Sequence, residues 1–249
     1  MKKTGSYPIF RIIRGAVKLF YPKFNIEGRE NLPDEPCIIV GNHSQMNGPI
    51  VCELYPPCPC CTWCAGEMME LKEVPAYAYK DFWSEKPRAV RCFYKLLSYI
   101  IAPISVCVFN NANTIGIYHD IRLRNTFKET MDRLDEGISS VIFPEHAVER
   151  NNIVYEFQDK FIDVAKLYYK RSGKALCFVP MYIAPKLKTM YLGKAVRFDP
   201  ETPIKEERQR ICEYLMNEIT DIAEALPEHT VVPYKNLPKK LYPKNKGKD

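Results

Sequence analysis

At 249 residues, with 46% hydrophobic and 27% charged residues and no repeat or low-complexity block, the chain can bury one large core and is neither disordered nor a repeat protein. Its net charge of +6 is uneven: residues 1 to 24 carry Lys2, Lys3, Arg11, Arg14, Lys18 and Lys23 with no acid, and 235 to 249 carry six lysines against Asp249, so the middle is net acidic. The middle lacks the aromatic-plus-basic clusters of a nucleic-acid binder, and ten cysteines are too sparse for a disulfide-stapled secreted scaffold, so they read as reduced, intracellular thiols.

Residues 7 to 21 open the predicted elements. Arg11, Arg14 and Lys18 recur at helical spacing along one stripe, while Ile9, Phe10, Ile12, Ile13, Ala16, Val17, Leu19 and Phe20 fill the rest of the circumference. The run is shorter and more charged than the about 20 apolar residues a bilayer span needs. The pattern suits a helix lying in a membrane interface, cations beside the headgroups. A helix packed on the protein's own core, basic side to water, is the other reading.

A short apolar run, Cys37-Ile38-Ile39-Val40, leads into the loop Gly41-Asn42-His43-Ser44-Gln45-Met46-Asn47-Gly48. The cysteines of Cys58-Pro59-Cys60-Cys61-Thr62-Trp63-Cys64 are the densest group of metal-ligand residue types, but no second pair follows nearby, so they read as small buried or loop residues. From Leu96 to Phe109 fourteen residues pass without a charge, divided by Pro103. This predicts a buried helix ending before the proline, then a buried strand from Ile104 to Phe109. Helical patterns follow at Asp120 to Asp135, capped by Gly137, at Glu156 to Lys170 before Gly173, and at Ile204 to Leu226, with Ile211, Leu215, Ile219, Ile222 and Leu226 on one face. Strand patterns lie at 140–143, 177–183 and 190–198.

Strand-helix alternation predicts an α/β fold: a single domain with a mixed, mostly parallel sheet flanked by helices. The expected organisation is a basic amphipathic segment at 1–24, the α/β domain at 25–234 and a lysine-rich tail at 235–249. In such sheets chemistry collects in loops beyond the strand ends, where His43 and Glu145 both fall.

The ordered set G-N-H at 41–43, F-P-E at 143–145 and F-V-P-M-Y-I at 178–183, with the lead-in Phe24 to Pro33, resembles the glycerolipid acyltransferases, the family of lysophosphatidate acyltransferase. The resemblance runs in order from about residue 20 to 200. It implies that His43 takes the proton from an acceptor hydroxyl, which attacks the thioester of acyl-CoA or acyl carrier protein. It also implies Glu145 in or near the site, and the candidate acceptor- or substrate-binding residues around these segments are Asn42, Asn47, Gly48, His146 and Arg150. A neutral imidazole is a fitting general base at neutral pH, and a thioester is already activated, so no metal or cofactor is required.

The chain departs from the family pattern at three places. The aspartate that orients the histidine is Gly48; Gly, Thr and Arg after F-P-E are His146, Ala147 and Val148; and the arginine near the middle strand is replaced in Val108-Phe109-Asn110-Asn111. Arg122 and Arg150 stand in no matching position. The groups left to orient His43 are the amides of Asn47 and Gln45, and the carboxylates of Glu145 and Glu53. The expected activity is O-acyl transfer to a lysolipid or related acceptor by a protein peripheral or monotopic at the cytoplasmic face of a membrane. The alternative is a catalytically inactive acyltransferase-fold protein that binds lipid or acyl chains there.

Overall fold

A computed structural model of the chain describes residues 5–84 and 86–246; Lys2, Lys3, Lys248 and Asp249, counted in the charged ends above, lie outside the described residues. Along the chain come α1 (Tyr7–Phe20), β1 (Asn25–Glu27), β2 (Ile38–Gly41), α2 (Asn47–Leu54) and β3 (Cys60–Ala65). They are followed by α3 (Val74–Ala78), α4 (Arg91–Phe109), β4 (Thr114–Ile117), α5 (Leu123–Asp135) and β5 (Ser139–Ile142). The remainder holds β6 (Glu145–Glu149), β7 (Tyr155–Phe157), α6 (Asp163–Ser172), β8 (Cys177–Ala184), β9 (Thr189–Leu192), β10 (Val196–Arg197) and α7 (Ile204–Ala225). The class is α/β with a mixed, mostly parallel sheet, as the alternation of patterns predicts. Packing gathers the chain into two compact units: Pro22–Cys61 with the segment from Thr130 onward, and the segment ending at Tyr21 with Thr62–Glu129.

In the first of these, β2 runs parallel to β5 on one side and to β8 on the other, while β9 turns back antiparallel on β8 and pairs in parallel with β1. β2, with parallel neighbours on both sides, has both faces covered and reads as an unbroken apolar run, while β8, an interior strand between β2 and β9 with α7 packed on it, is likewise buried throughout. α7 packs on β8 with Ile211, Leu215 and Ile219, the face its sequence spacing predicts. Arg208 on α7 reaches Asp163 at the start of α6 with three bonds of 2.5 to 2.9 Å. α6 ends where Gly173 turns left-handed (φ 71°), its N–H on the Tyr169 carbonyl. β6 and β7 form a separate antiparallel hairpin directly after β5.

Three expectations change here. Glu156 belongs to β7, and α6 starts only at Asp163, because the apolar residues Tyr155 and Phe157 alternate as a strand. The 190–198 pattern is two strands, β9 and β10, parted at Gly193. The lysine-rich segment folds back rather than trailing free: Thr230 bridges Lys244, and Asn245 is fully buried, accepting the His229 N–H at 2.8 Å and donating to the Ala223 carbonyl at 2.7 Å.

The other unit carries α1, α3 and α4 and the parallel pair of β3 and β4. Here the reading of Leu96 to Phe109 is corrected. α4 continues as one helix through Pro103, with no strand from Ile104 to Phe109. Its inward positions are Ser98, Ala102, Ser105 and Cys107, of which Ser105 donates to the Met68 carbonyl at 2.9 Å. Its large apolar residues, Phe93, Leu96, Tyr99, Ile100 and Ile104, are exposed. Sequence alone marks those residues as averse to water, which a core and a lipid surface satisfy equally. α1 meets α4 where Phe10 packs with Cys107 and Ala112.

Removing a fully buried side chain and an exposed one tests this assignment. Leu215→Ala on α7 is expected to cost about 2–5 kcal/mol in denaturant unfolding. Ile100→Ala on α4 is expected to stay within about 0.5 kcal/mol of wild type. Equal losses would put Ile100 in a core.

Candidate active site

β2 ends at Gly41, and the next side chain ties the strand end down. Asn42 accepts the Ile183 N–H at 2.7 Å and donates to the Ile183 carbonyl at 3.2 Å. Both ends of its amide are therefore spent on β8. An acceptor bound by Asn42 would have to compete with both bonds.

Ser44 and Gln45 follow with φ of 49° and 54°, two consecutive non-glycine residues in the left-handed region. Such backbone costs of order 1–3 kcal/mol per residue and persists only where its surroundings over-determine it. Here they do. Asn47 bonds the Ser44 carbonyl through both its backbone N–H (3.1 Å) and its side-chain amide (2.9 Å), and the Gly48 N–H bonds the His43 carbonyl at 3.1 Å.

The strongest hold comes from Glu145. Its carboxylate is buried and accepts the His43 backbone N–H at 2.6 Å on one oxygen and the Tyr155 N–H at 2.9 Å on the other. Glu145 thus joins the His43 loop to the β6–β7 hairpin, as sequence places it, but through the backbone of His43 and not its ring. A buried carboxyl with only neutral donors favours its protonated form, and burial pushes its pKa up to about 7 against the pull of the Tyr155 and His43 N–H groups.

The imidazole itself is held by packing. The Phe143 ring lies 5.4 Å from it at 67°, and the Tyr234 ring 5.9 Å from it at 87°. Nδ1 is buried and has no hydrogen-bond partner among the described residues. Burial lowers the His43 pKa below the ordinary histidine value, opposed by backbone groups of Gln45 and of His43 itself. None of the expected orienting groups reaches Nδ1. The Gln45 amide goes to the Lys235 carbonyl and the Tyr242 hydroxyl, that of Asn47 to Ser44, and no hydrogen bond joins Nδ1 to Glu53 on α2 or to Glu145.

Position 48 has no room for an orienting side chain either. A side chain at Gly48 would put its Cβ 2.6 Å from the His43 carbonyl oxygen and 2.9 Å from the Phe143 ring. The space an aspartate needs is filled, so glycine is what this packing accepts.

His146 is half-buried on β6. The Arg150 guanidinium is engaged by Glu156 at 3.5 Å and by the Asn217 side-chain oxygen at 3.0 Å, so an acceptor phosphate would compete with both. Cys61 turns to Ser140, 3.3 Å away, while Cys60 is only half-buried, as alternation along β3 implies. Sequence reasoning passed over Phe143, Tyr234 and Tyr242 as site residues. The one signal for Tyr234 is the apolar run Val231-Val232-Pro233-Tyr234 after α7.

No protein-family model and no curated protein matches the chain. Among solved structures it is similar to the crystal structure of the 1-acyl-sn-glycerophosphate (LPA) acyltransferase PlsC from Thermotoga maritima, at 16% identity and a TM-score of 0.49, over 90% of this chain and 81% of that chain.

The raised pKa of Glu145 has a measurable consequence. Between the ordinary 4.5 and about 7 the folded state holds a proton that the unfolded state has released. Its contribution to stability therefore falls as pH rises through that window and is level above it. In denaturant melts, wild type minus Glu145→Gln is expected to decline from about pH 4.5 to about 7 and then flatten. A difference that does not change with pH would mean that Glu145 titrates as an exposed acid does.

Proposed function

We propose that this protein is a membrane-associated O-acyltransferase, moving a fatty acyl group from an acyl thioester (acyl-CoA or acyl carrier protein) to a hydroxyl of a lysolipid or related acceptor. The observation that carries the reading is the 2.6 Å bond from the His43 backbone to Glu145, which brings the G-N-H and F-P-E segments of the resemblance together. With Nδ1 enclosed, Nε2 is the nitrogen left to meet a substrate. It takes the proton of the acceptor hydroxyl as the oxygen attacks the thioester carbonyl. The tetrahedral intermediate then collapses, the carbon–sulfur bond breaks, and the thiol leaves with the proton returned by the imidazolium. The lowered pKa keeps His43 neutral, and so competent as a base, at neutral pH.

Lipid acceptors and long acyl chains reside in membranes, and α1 and α4 supply a surface for one at the cytoplasmic face. Ile12, Leu19 and Phe20 on α1 are 73%, 78% and 86% exposed. α4 turns serines and alanine inward and Phe93, Leu96, Ile100 and Ile104 outward. Neither helix contains an acid, while Arg11, Lys18, Arg88, Arg91 and Lys95 are exposed on or beside them. That combination fits a surface of anionic headgroups over acyl chains. Arg88–Phe109 is long and apolar enough to cross a bilayer by length and composition. Its inward face is taken up by Met68, Val74 and Ala78, however, which favours a helix lying in the interface.

One observation favours the second reading, a lipid-binding protein without activity. The unpartnered Nδ1 leaves no carboxylate to stabilise the imidazolium. In a serine-protease triad the loss of that charge costs about 10⁴ in turnover.

Release of free thiol from acyl-CoA and from acyl carrier protein, on anionic vesicles with a panel of lysolipid and neutral alcohol acceptors, separates the two. Acceptor-dependent release that disappears in His43→Ala and is weakened in Glu145→Gln is the expected result. Equal background release from all three proteins, each still bound to vesicles, would leave the lipid-binding reading. Sedimentation with phosphatidylglycerol vesicles tests the surface. Ile12→Glu and Ile100→Glu are each expected to weaken binding about tenfold or more, by placing a charge in the apolar layer. Unchanged binding in both would place the contact elsewhere.

A further inference from the structure

A histidine ring turns about a torsion that is broad and roughly two-fold. In a base paired with a carboxylate, the hydrogen bond to Nδ1 picks one orientation. Here that nitrogen has no hydrogen-bond partner among the described residues, so the ring plane is set by what packs against its faces and edges.

Two aromatic rings do this, and they come from distant parts of the sequence. Phe143 follows β5, and its ring stands where a side chain at Gly48 would go. Tyr234 belongs to the segment 231–243, which is closed at its neck by the Thr230–Lys244 bridge and by the Val231 N–H on the Pro243 carbonyl at 2.9 Å. Both rings meet the imidazole in the T-shaped arrangement that aromatic pairs prefer. Behind Tyr234 lies the Tyr155 ring at 5.6 Å, on the same strand whose backbone N–H is bonded to Glu145.

The loop and the segment also hold each other. The Gln45 amide donates to the Lys235 carbonyl at 3.1 Å and to the Tyr242 hydroxyl at 3.0 Å, from a residue held in left-handed backbone two positions after His43. The segment 231–243 has the form of a compact surface loop with its ends tied, its body laid on the His43 turn.

We propose that Tyr234 is a positioning residue for His43. Its ring and that of Phe143 together hold the imidazole plane where other histidine bases use a carboxylate, which makes the closed 231–243 loop part of the working site. The inference rests on His43 being the base, but its first test does not need activity. The titratable groups that touch the imidazole, the His43 turn or the Tyr234 ring are Tyr234 itself, Glu145 on β6, Tyr155 on β7, and Lys235 and Tyr242 on the closing segment, and none of the substitutions below removes a carboxylate.

Proton and nitrogen NMR of histidine-labelled protein, with the His43 signals identified by their loss in His43→Ala, reports the ring directly. Tyr234→Phe keeps the ring and is expected to leave the His43 titration midpoint unchanged. Tyr234→Leu keeps bulk without the ring; it is expected to raise the midpoint by about half a unit or more towards the ordinary histidine value and to broaden the signals. Tyr242→Phe, which cuts the bond to Gln45 alone, is expected to shift the midpoint less and in the same direction. In the transfer assay Tyr234→Leu is expected to lower kcat about tenfold with KM unchanged, and Tyr234→Phe to restore it.

His43 signals that are the same in wild type and Tyr234→Leu would overturn the proposal, whatever the transfer rates. If no protein transfers acyl groups but Tyr234→Leu shifts His43, the acyltransferase reading fails while the packing role of Tyr234 stands. Loss of transfer in both Tyr234→Phe and Tyr234→Leu with unmoved His43 signals would assign Tyr234 to substrate contact instead, and would also overturn it.

Discussion

One buried carboxylate holds together what the candidate site needs. Glu145 accepts two backbone N–H groups, of His43 and of Tyr155, and thereby fixes the turn after β2 against the hairpin after β5. Neither contact is to a charged partner, so desolvation of the carboxylate is only partly offset, and its pKa rises to about 7. The turn it holds is itself strained, with Ser44 and Gln45 both left-handed. Strain of that kind relaxes unless several bonds oppose it, and Asn42, Asn47, Gln45 and Glu145 each supply one or more.

A second constraint is volume. The aromatic ring of Phe143 and the carbonyl of His43 occupy the space beside Gly48, so an orienting aspartate and this packing exclude each other. The departure at position 48 is therefore coupled to Phe143, and the coupling extends to Tyr234 on the other side of the imidazole. An imidazole packed between two rings with no carboxylate on Nδ1 has a steric, neutral restraint and not a directional, charged one. The two kinds of restraint bear differently on how an imidazole is oriented and on how its charge is stabilised, and rings contribute mainly to the first.

Much of the sheet was legible because its code is local. Ile38-Ile39-Val40 is an unbroken apolar run because a strand between parallel neighbours has no water-facing side, Phe178-Val179-Pro180-Met181 is one because β8 lies inside the sheet under α7, and the 3.6-residue spacing of Ile211, Leu215 and Ile219 marks the face of α7 on β8. α4 was misread because periodicity distinguishes apolar from polar faces without saying which lies inward. Ser98, Ala102 and Ser105 are the inward positions, and they look like the polar face of a soluble helix. In the candidate site, His43 and Glu145 meet, but through the His43 backbone and not through its ring. A sequence motif records residue types at spacings, whereas the 2.6 Å contact runs to a backbone atom that every residue possesses. Tyr234 and Tyr242 were invisible for another reason: their approach to the His43 loop depends on the Thr230–Lys244 closure, a pairing with no local signal at either end.

The electrostatics of the site run in one direction. Burial lowers the pKa of His43 and raises that of Glu145, so both groups are biased towards their uncharged forms. For a histidine acting as a base this helps, since a neutral imidazole is the form that accepts a proton. In the proposed reaction it is a burden, because imidazolium must form where burial disfavours it and where no carboxylate touches Nδ1. The choice of acyl donor bears on that burden. A thiol leaving group, with an ordinary pKa near 8.5, departs far more readily than an alkoxide. The tetrahedral intermediate therefore breaks down forward without prior proton donation, and the imidazolium need only survive until the departing thiolate takes its proton. A weakly supported base is thus compatible with thioester chemistry in a way that it would not be with cleavage of an ester or amide, where the same histidine must also drive expulsion of a poor leaving group.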